Sequence, residues 1–269
     1  MQRVGVLGAG GRMGREVCRA IADDPDLELV AAVDPALAGI DLRQVTGADA
    51  AGLQVASDVE ELERTGAQVA VDFTVADAAV EHMRWCASHG VHAVVGTTGI
   101  GAELLGELTQ LFESSEANCV MAANFAIGAV LMMRFAELAA PFMDGVEIVE
   151  LHHDGKLDAP SGTALTTAER LERARAGAGR EGWPGDRTAK EVVSGARGGE
   201  GPGGVRIHSV RLPGLVAHQE VLFGAVGQSL SIRHDAYDRT SFMPGMILAV
   251  KAVSGRPGLT VGLDTLLGF

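Results

Sequence analysis

The sequence predicts an α/β chain in two parts, a doubly wound parallel sheet followed by an α+β domain with a mostly antiparallel or mixed sheet. Short apolar runs alternate with stretches of helical period as far as residue 128, which is typical of repeated βα units. A glycine-rich segment follows the first apolar run. Beyond residue 204 the apolar runs follow one another without helices between them, which indicates antiparallel or mixed pairing.

The composition is that of a globular protein and excludes several classes of partner. The chain has 269 residues, 47% of them hydrophobic and 21% charged, which is enough for one large or two modest domains. Its net charge of −13 argues against nucleic acid or an anionic membrane as the main partner. No apolar run approaches the roughly 20 residues that cross a bilayer, and the first residues lack a signal-peptide pattern. The 3 scattered cysteines favour the reducing cytoplasm as the location.

The glycine-rich segment at residues 8–14 follows a buried strand predicted at residues 4–7. Glycines allow the backbone to approach a phosphate closely, and the helix that begins there offers free N–H groups. The spacing is Gly8-x-x-Gly11-x-x-Gly14, because Met13 stands where the pattern GxGxxG has its third glycine. By itself such a loop is a weak signal. We expect it to bind a dinucleotide through Gly8, Ala9, Gly10, Gly11, Arg12 and Met13.

A second apolar run, at residues 29–33, ends at Asp34, about twenty residues beyond the glycine segment. An acidic residue at this spacing accepts hydrogen bonds from the adenosine ribose of a dinucleotide. An exposed aspartate at a strand end is the alternative. Pro35 follows, where a cationic residue would favour the 2′-phosphate of NADP, although Arg12 could reach such a phosphate. The pattern favours NAD, with NADP usable.

Three more strands are predicted, at residues 68–73, 91–95 and 119–122, and each is followed by a helix. The ends of parallel strands lie at one edge of the sheet, where doubly wound folds bind their ligands. Turn chemistry alone explains any one of these loops, but five at one edge favour a dinucleotide crevice. With Asp34, its further residues are Gly96, Thr97, Thr98, Ala122, Ala123, Asn124 and Phe125. The domain with this Rossmann-like sheet is predicted to span residues 1–128, with residues 240–269 returning to it.

The second domain, predicted at residues 129–239, is expected to bind substrate and to form oligomers. Its strands are expected near residues 146–151, 205–212, 218–223 and 229–234, with one helix at residues 164–176. Residues 176–204 are rich in glycine and charge and indicate a long, mobile surface connection. One sheet face must be solvated or covered by another copy. Leu222, Phe223, Leu230 and Ile232 favour the second possibility.

Residues 150–164 form a polar loop between a strand and a helix, where catalytic groups commonly project from a scaffold. His152 and His153 point to opposite sides of an extended chain, and no third ligand lies at metal spacing, so we expect no metal. One imidazole suits a proton donor and the other a substrate contact, although two structural histidines are the alternative. Lys156 follows Gly155, and its ammonium group can neutralise a carboxylate or polarise an imine.

A second anion site is predicted where the helix begins at Ser161-Gly162-Thr163. Together with Lys156 and an imidazole, this site suits a compact dicarboxylate substrate. Asp158 is expected to cap or orient the loop.

The motif His152-His153-x-x-Lys156-x-Asp158-Ala159-Pro160-Ser161-Gly162-Thr163-Ala164 closely resembles the signature of the 4-hydroxy-tetrahydrodipicolinate reductase family, also called dihydrodipicolinate reductases. The likeness covers nearly the whole chain. The further segments that carry it are residues 8–14, 71–74, 95–99, 123–128, 215–221 and 233–235.

This resemblance implies reduction of 4-hydroxy-tetrahydrodipicolinate to tetrahydrodipicolinate by NADH or NADPH, with loss of water, in lysine and diaminopimelate biosynthesis. It implies that His152 is the proton donor and Lys156 a second, cationic catalytic residue. Substrate contacts carry over to His153, Gly162 and Thr163, and Thr98 is expected where nicotinamide and substrate meet. The resemblance also implies a homotetramer built on the second domain's sheet, with domains that close over substrate. Some relatives have a basic residue at the position of Asp34-Pro35, a difference that concerns cofactor preference.

Two other functions stay open at this point. A dehydrogenase of an amino acid or semialdehyde would need another catalytic group, and Cys18, Cys86 and Cys119 all lie within predicted helices or strands. A dinucleotide-sensing protein without turnover would have an incomplete set of proton donors. Oxidation of NADH with and without the imine dicarboxylate separates these possibilities.

Overall fold

The structure is a computed structural model that describes residues 1–50, 52–180 and 182–269. It divides into two compact units, unit 1 with Met1–Ile127 and Arg239–Phe269, and unit 2 with Gly128–Asp238. The strands are β1 Gln2–Leu7, β2 Leu27–Val33, β3 Val69–Asp72, β4 His92–Val95, β5 Cys119–Met121, β6 Gly145–His152, β7 Gly199–Glu200, β8 Arg206–Arg211, β9 Ala217–Ala225, β10 Gln228–Ala236 and β11 Leu259–Val261. The helices are α1 Arg12–Asp23, α2 Leu42–Thr46, α3 Glu61–Arg64, α4 Ala76–His89, α5 Ala102–Glu113, α6 Ile127–Ala139, α7 Gly162–Gly177 and α8 Met243–Ala252.

Unit 1 contains a six-stranded parallel sheet in the order β11-β5-β4-β3-β1-β2. Its inner strands are mostly apolar, as expected for a sheet covered on both faces, and all four residues of β3 are buried. Leu62, Met83, Leu108 and Phe112 bring α3, α4 and α5 into one core cluster with these strands. The predicted doubly wound parallel sheet is therefore confirmed.

The sheet register places the strand ends of unit 1 in one row. Leu7, the last residue of β1, is partnered with Val33 and Asp72, the last residues of β2 and β3. Asp72 is in turn partnered with Val95, and Val95 with Met121. Five loops consequently leave the sheet at the same level and on the same edge.

Unit 2 contains a five-stranded mixed sheet in the order β10-β9-β6-β8-β7. The central strand β6 runs antiparallel to β9 and parallel to β8. Helix α7 covers one face, where its Ala168 and Leu171 share a core cluster with Ile148 and Phe223. The predicted α+β arrangement with a mixed sheet is confirmed, including the hairpin at Gly227, whose φ of 75° suits glycine.

The expectation for the open sheet face was wrong for three of its four residues. Phe223 is opposite Leu230, and Val221 is opposite Ile232, so all four side chains lie on one face. This is the face that α7 covers, because Phe223 and Val221 belong to the core cluster and Ile232 packs against it. Leu222 points to the other face and is 38% exposed. Alternation along a strand identifies residues that share a face, but not which face the helix covers.

The predicted surface connection at residues 176–204 contains one anchor that its composition did not indicate. Trp183 is buried and joins the core of unit 2, with its ring 6.3 Å from that of Phe223. The guanidinium of Arg175 lies 4.0 Å from the centre of the indole ring and donates a 2.7 Å hydrogen bond to the Met143 carbonyl. A large aromatic side chain gains enough from burial to fix a segment that is otherwise polar.

Candidate active site

The glycine loop of unit 1 forms a narrow backbone turn between β1 and α1. Gly8 has a φ of 77°, which favours glycine, and its carbonyl accepts a hydrogen bond from Gly11 N at 3.0 Å. Gly11 is the N-cap of α1, and the first turn of that helix contains no acidic side chain. The leading N–H groups of a helix have no acceptor within it, so this end presents donors and a positive dipole.

Gly14 performs the packing function of the third glycine in the sequence pattern. A Cβ atom at Gly14 would lie 2.0 Å from the Gly8 carbonyl oxygen, so α1 reaches the loop only because this side chain is absent. Met13, which stands at the pattern position, is partly exposed. The close contact between helix and loop is therefore made one residue later than in GxGxxG.

Asp34 holds the glycine loop from the end of β2. Its Oδ2 accepts a 2.9 Å hydrogen bond from Gly10 N, and its Oδ1 accepts a 3.1 Å bond from Ala36 N. A Cβ atom at Gly10 would lie 2.7 Å from Asp34 Oδ2 and 2.2 Å from Leu37 Cδ1. The aspartate thus positions the loop in addition to its predicted role toward a ribose.

The other predicted cofactor residues lie at the same sheet edge and differ in burial and hydrogen bonding. Thr97 is buried, and its hydroxyl donates a 3.0 Å hydrogen bond to the Thr74 carbonyl, whereas Thr98 and Ala123 are exposed. Asn124 uses its Oδ1 to accept a 2.9 Å bond from Ala126 N. The remaining three are Gly96, whose Cα faces the Phe73 ring, Ala122, which is buried, and Phe125, whose ring lies 5.8 Å from that of Phe73.

These features fit a dinucleotide cofactor. The loop has no side chains at Gly8, Gly10 and Gly11, so a ligand can approach its backbone closely. A helix begins there, and Asp34 lies at the end of the adjacent strand. Arg12 is exposed at the first position of α1 and forms no ion pair with the described part of the chain. A phosphate group is the natural ligand of such a site.

In unit 2 the two sequence histidines have different environments. His152 ends β6 with its side chain 15% exposed, and its Nδ1 lies 2.6 Å from Glu150 Oε2. His153 is exposed. The carboxylate engages one ring nitrogen of His152, and Nε2 is the nitrogen left for a ligand.

Glu150 is a fully buried carboxylate with several donors around it. Arg211 donates from Nη1 to Oε2 and from Nη2 to Oε1, both at 2.8 Å, and Ser161 N donates to Oε1 at 3.2 Å. Burial alone would raise the pKa of Glu150. Hydrogen bonds from His152, Arg211 and Ser209, together with the charge of Arg211, lower that pKa to about 2. The group is therefore a carboxylate at neutral pH.

Lys156 and the start of α7 supply the remaining predicted groups. Lys156 Nζ lies 2.8 Å from Asp158 Oδ1 and 2.9 Å from Oδ2. Ser161 is the N-cap of α7, and its side chain accepts a hydrogen bond from Ala164 N at 3.2 Å. Gly162 is exposed and Thr163 partly so, in the first turn of that helix, which contains no acidic residue. The helix start consequently presents N–H donors to an anion.

Sequence reasoning missed Glu150 and Arg211 as functional groups. Glu150 occupies a position that continues the buried alternation of Val146 and Ile148, where an apolar residue is the rule. A carboxylate there must have partners, so this signal was available. Its main partner, Arg211, lies on another strand, 61 residues away, and the sequence alone does not give that register.

Two negative findings complete the description. Over residues 1–50, 52–180 and 182–269, no group of three or more His, Cys, Asp or Glu side chains is arranged to hold a metal ion. Within those same ranges, every helix is too short or too polar to cross a membrane.

A parallel sheet with a glycine loop at its edge is typical of the dinucleotide-binding domains of nicotinamide-dependent oxidoreductases. Family models described as "Dihydrodipicolinate reductase, N-terminus" and "Dihydrodipicolinate reductase, C-terminus" match residues 2–125 and 128–267. The chain belongs to the dihydrodipicolinate reductase family. It is an NAD(P)H-dependent oxidoreductase of lysine and diaminopimelate biosynthesis, which confirms the predicted family and reaction.

Individual relatives agree with this assignment. The chain is 50% identical over 268 residues to 4-hydroxy-tetrahydrodipicolinate reductase of Nocardia farcinica, with 98% of each chain covered. It is also 50% identical over 270 residues to the enzyme of the same name from Cutibacterium acnes, with 100% of each covered. A solved dipicolinate-bound dihydrodipicolinate reductase from Paenisporosarcina sp. TG-14 has a TM-score of 0.84 and 41% identity, covering 98% of this chain and 99% of that one. An amine dehydrogenase from Mycobacterium smegmatis, with a TM-score of 0.65 and 19% identity over 98% of this chain and 95% of its own, shares the fold.

Proposed function

We propose that, when this chain reduces the cyclic imine dicarboxylate 4-hydroxy-tetrahydrodipicolinate, His152 is the proton donor and Lys156 is a second, cationic catalytic residue. The observation that carries the proposal is the Glu150–His152 pair, because it engages Nδ1 and leaves Nε2 as the acid. The dinucleotide supplies a hydride when bound. Negative charge that builds up on the substrate ring is neutralised by the His152 proton, and water is released.

Unit 2 is proposed to hold the two substrate carboxylates. The N-terminal turn of α7, with Gly162 and Thr163, offers N–H donors, and Lys156 and His153 add polar side chains. The relative from Paenisporosarcina sp. TG-14 is described as dipicolinate-bound, and dipicolinate is a dicarboxylate. Both observations support a compact dicarboxylate as the substrate class.

Unit 1 is proposed to hold the cofactor through the predicted residues of its glycine loop and sheet edge, with NADH preferred. Asp34 supports this preference, since a carboxylate at the end of β2 accepts bonds from ribose hydroxyls and repels a 2′-phosphate. Pro35 adds no positive charge beside it. Arg12, exposed at the start of α1, is the group that makes NADPH usable. Asp34→Asn should raise the ratio of kcat/KM for NADPH to that for NADH, and an unchanged ratio would contradict the role of Asp34.

The reaction is tested by steady-state oxidation of NADH and NADPH while a synthase generates the unstable substrate in place. His152→Ala should lower kcat by roughly 10² to 10⁴-fold with little change in the Kd for NADH, because the proton is needed only in the transition state. Lys156→Ala should lower kcat and raise KM for the imine. The matched control is His208→Ala, a histidine of the same sheet that pairs with Glu147 instead. Full turnover by His152→Ala would remove that residue from the role.

The proposal extends to a cytoplasmic homotetramer formed through the sheet face opposite α7. Leu222 is exposed on this face, and the three cysteines are free and buried, which favours a reducing compartment. Light scattering should give four times the mass of the chain, and Leu222→Glu should reduce that mass. A monomer at micromolar concentration would contradict the assembly and leave the reaction unaffected.

A further inference from the structure

Glu150 lies where the sheet of unit 2 should be apolar. It follows Val146 and Ile148 on the face of β6 that α7 covers, and it has no exposed surface. A buried carboxylate is tolerated only when it is paired and hydrogen-bonded, because its desolvation costs several kcal/mol. The donors around Glu150 satisfy this requirement, and their identity indicates a function.

These donors come from three places, which are the end of β6, the N-cap of α7 and strand β8. His152 Nδ1, at 2.6 Å, belongs to the end of β6, and Ser161 N, at 3.2 Å, is the N-cap of α7. Arg211 binds both carboxylate oxygens and also donates from Nη2 to the Asp158 carbonyl at 2.8 Å. That carbonyl lies in the loop that carries Lys156. One carboxylate therefore connects the proton donor, the anion-binding helix start and the lysine loop.

The bond to Nδ1 has a specific consequence for His152. A carboxylate on Nδ1 fixes the ring orientation, keeps the proton-donating position at Nε2 and stabilises the imidazolium form. We infer that Glu150 is the positioning residue of the reduction, which orients the His152 ring and aligns the loop and the helix start through Arg211 and Ser161. This inference rests on the proposed role of His152.

The charges that face the cluster come from β6, β8 and the loop. They are Glu150, His152, Arg211, Lys156 and Asp158. The register neighbours Ser209 and Gln219, on the two flanking strands, are neutral. With His152 protonated the set has three positive and two negative charges. Removal of the Glu150 charge leaves one negative charge against three, and it takes from His152 the carboxylate that orients its ring.

The opposite face of the same strand provides a matched control. Glu147 Oε2 lies 2.7 Å from His208 Nε2, and Arg197 Nη2 lies 2.5 Å from Glu147 Oε1. This is also a carboxylate with one histidine and one arginine on the sheet of unit 2. It lies three positions earlier on β6 and has no bond to the 153–160 loop or to α7. Glu147→Gln therefore controls for the loss of a carboxylate–histidine–arginine cluster as such.

The test compares Glu150→Gln, Glu150→Asp and Glu147→Gln in the full-length enzyme. Glu150→Gln should lower kcat at least about ten-fold, with the Kd for NADH unchanged within about two-fold. Glu150→Asp should return kcat toward the wild-type value, because the carboxylate is kept, and Glu147→Gln should leave kcat unchanged.

A Glu150→Gln enzyme with wild-type kcat would overturn the inference, as would an equal loss of kcat in Glu147→Gln. If Glu150→Gln does not fold, the inference is tested by the kcat of Glu150→Asp and by a measurement on the wild-type enzyme. In the wild type, ¹⁵N NMR of labelled histidine should show the Nδ1 of His152 protonated, and the opposite tautomer would overturn the inference. His152→Ala is measured in parallel. If it keeps full turnover the proposed function fails, whereas loss of turnover in His152→Ala combined with a normal Glu150→Gln refutes only the role of Glu150.

Discussion

The ammonium group of Lys156 is bound by both carboxylate oxygens of Asp158, at 2.8 and 2.9 Å. The hydrogen bond from Lys156 holds the pKa of Asp158 below its usual range. The side chain of Lys156 is 21% exposed and that of Asp158 62% exposed, so solvent screens the pair. An exposed pair of this kind contributes about 0–1 kcal/mol. Asp158 therefore acts as a weak internal competitor for the lysine that is proposed to bind substrate.

The variant Asp158→Asn should lower KM for the imine by up to about five-fold, the equivalent of 1 kcal/mol of competition. Its backbone carbonyl, which accepts from Arg211, is retained. Asp154→Asn is the matched control, because it removes one exposed negative charge from the same loop. Equal effects in the two variants would show that overall charge is responsible. A rise in KM would show that Asp158 positions Lys156 instead of competing for it.

Two helical glycines of unit 1 should respond to alanine in opposite ways. At Gly14 a Cβ atom would lie 2.0 Å from the Gly8 carbonyl oxygen and 2.8 Å from its carbon, so backbone must move. Gly14→Ala should lower the free energy of unfolding by about 1–3 kcal/mol and weaken NADH binding. Gly106, exposed in α5, has no atom within 4 Å of such a Cβ. Gly106→Ala should raise the free energy of unfolding by about 0.5–1 kcal/mol without effect on NADH. Urea unfolding measures both, and a neutral Gly14→Ala would refute the close helix–loop contact.

The reactivity of the cysteines tests the alternative function, a dehydrogenase with a catalytic thiol. Burial raises the pKa of Cys18 to about 12, and burial also raises the pKa of Cys86 and Cys119. None of the three is more than 1% exposed. A thiol-reactive chromogenic disulfide at about pH 8 should label none of them in the native enzyme, because thiolate formation and access are both suppressed. It should label all three after unfolding. Rapid labelling of one cysteine in the native state would restore a thiol-dependent dehydrogenase as a candidate.

Local patterns predicted much of the fold and part of the site. The alternation of apolar runs and helical stretches predicted the parallel sheet. Glycine at 8, 11 and 14 predicted a tight loop, and the structure has no room or no suitable backbone conformation for a larger side chain at Gly8 and Gly14. Gly90 was expected to end α4 and does so with a φ of 68°. Such features depend on neighbouring residues alone, and the sequence displays them directly.

Features that depend on contacts between distant strands were not predicted. The bond between Arg211 and Glu150 needs β6 and β8 in one particular register, and a shift of one residue would move Arg211 to the other face. Phe223, Leu230 and Ile232 were assigned to the wrong face for a related reason, since period-two alternation does not reveal where α7 packs. Trp183 was missed because its neighbours are glycine and charged residues, and burial of that side chain depends on Arg175 and Phe223.

The low pKa of Glu150 predicts a specific acid sensitivity of folding. Its native value of about 2 lies below the ordinary value of 4.5, so the folded state binds this proton less readily than the unfolded state. The stabilisation is fully present above about pH 4.5 and disappears as the pH falls toward 2, and at neutral pH it amounts to about 3 kcal/mol. The difference in unfolding free energy between the wild type and Glu150→Gln should therefore narrow by about 1 kcal/mol between about pH 6 and about pH 3.5, as measured by urea unfolding. Glu147→Gln should show a smaller narrowing in the same direction, because the pKa of Glu147 is also lowered but its side chain is 34% exposed and screened. A pH-independent difference for Glu150→Gln would mean that Glu150 contributes through packing and not through its charge.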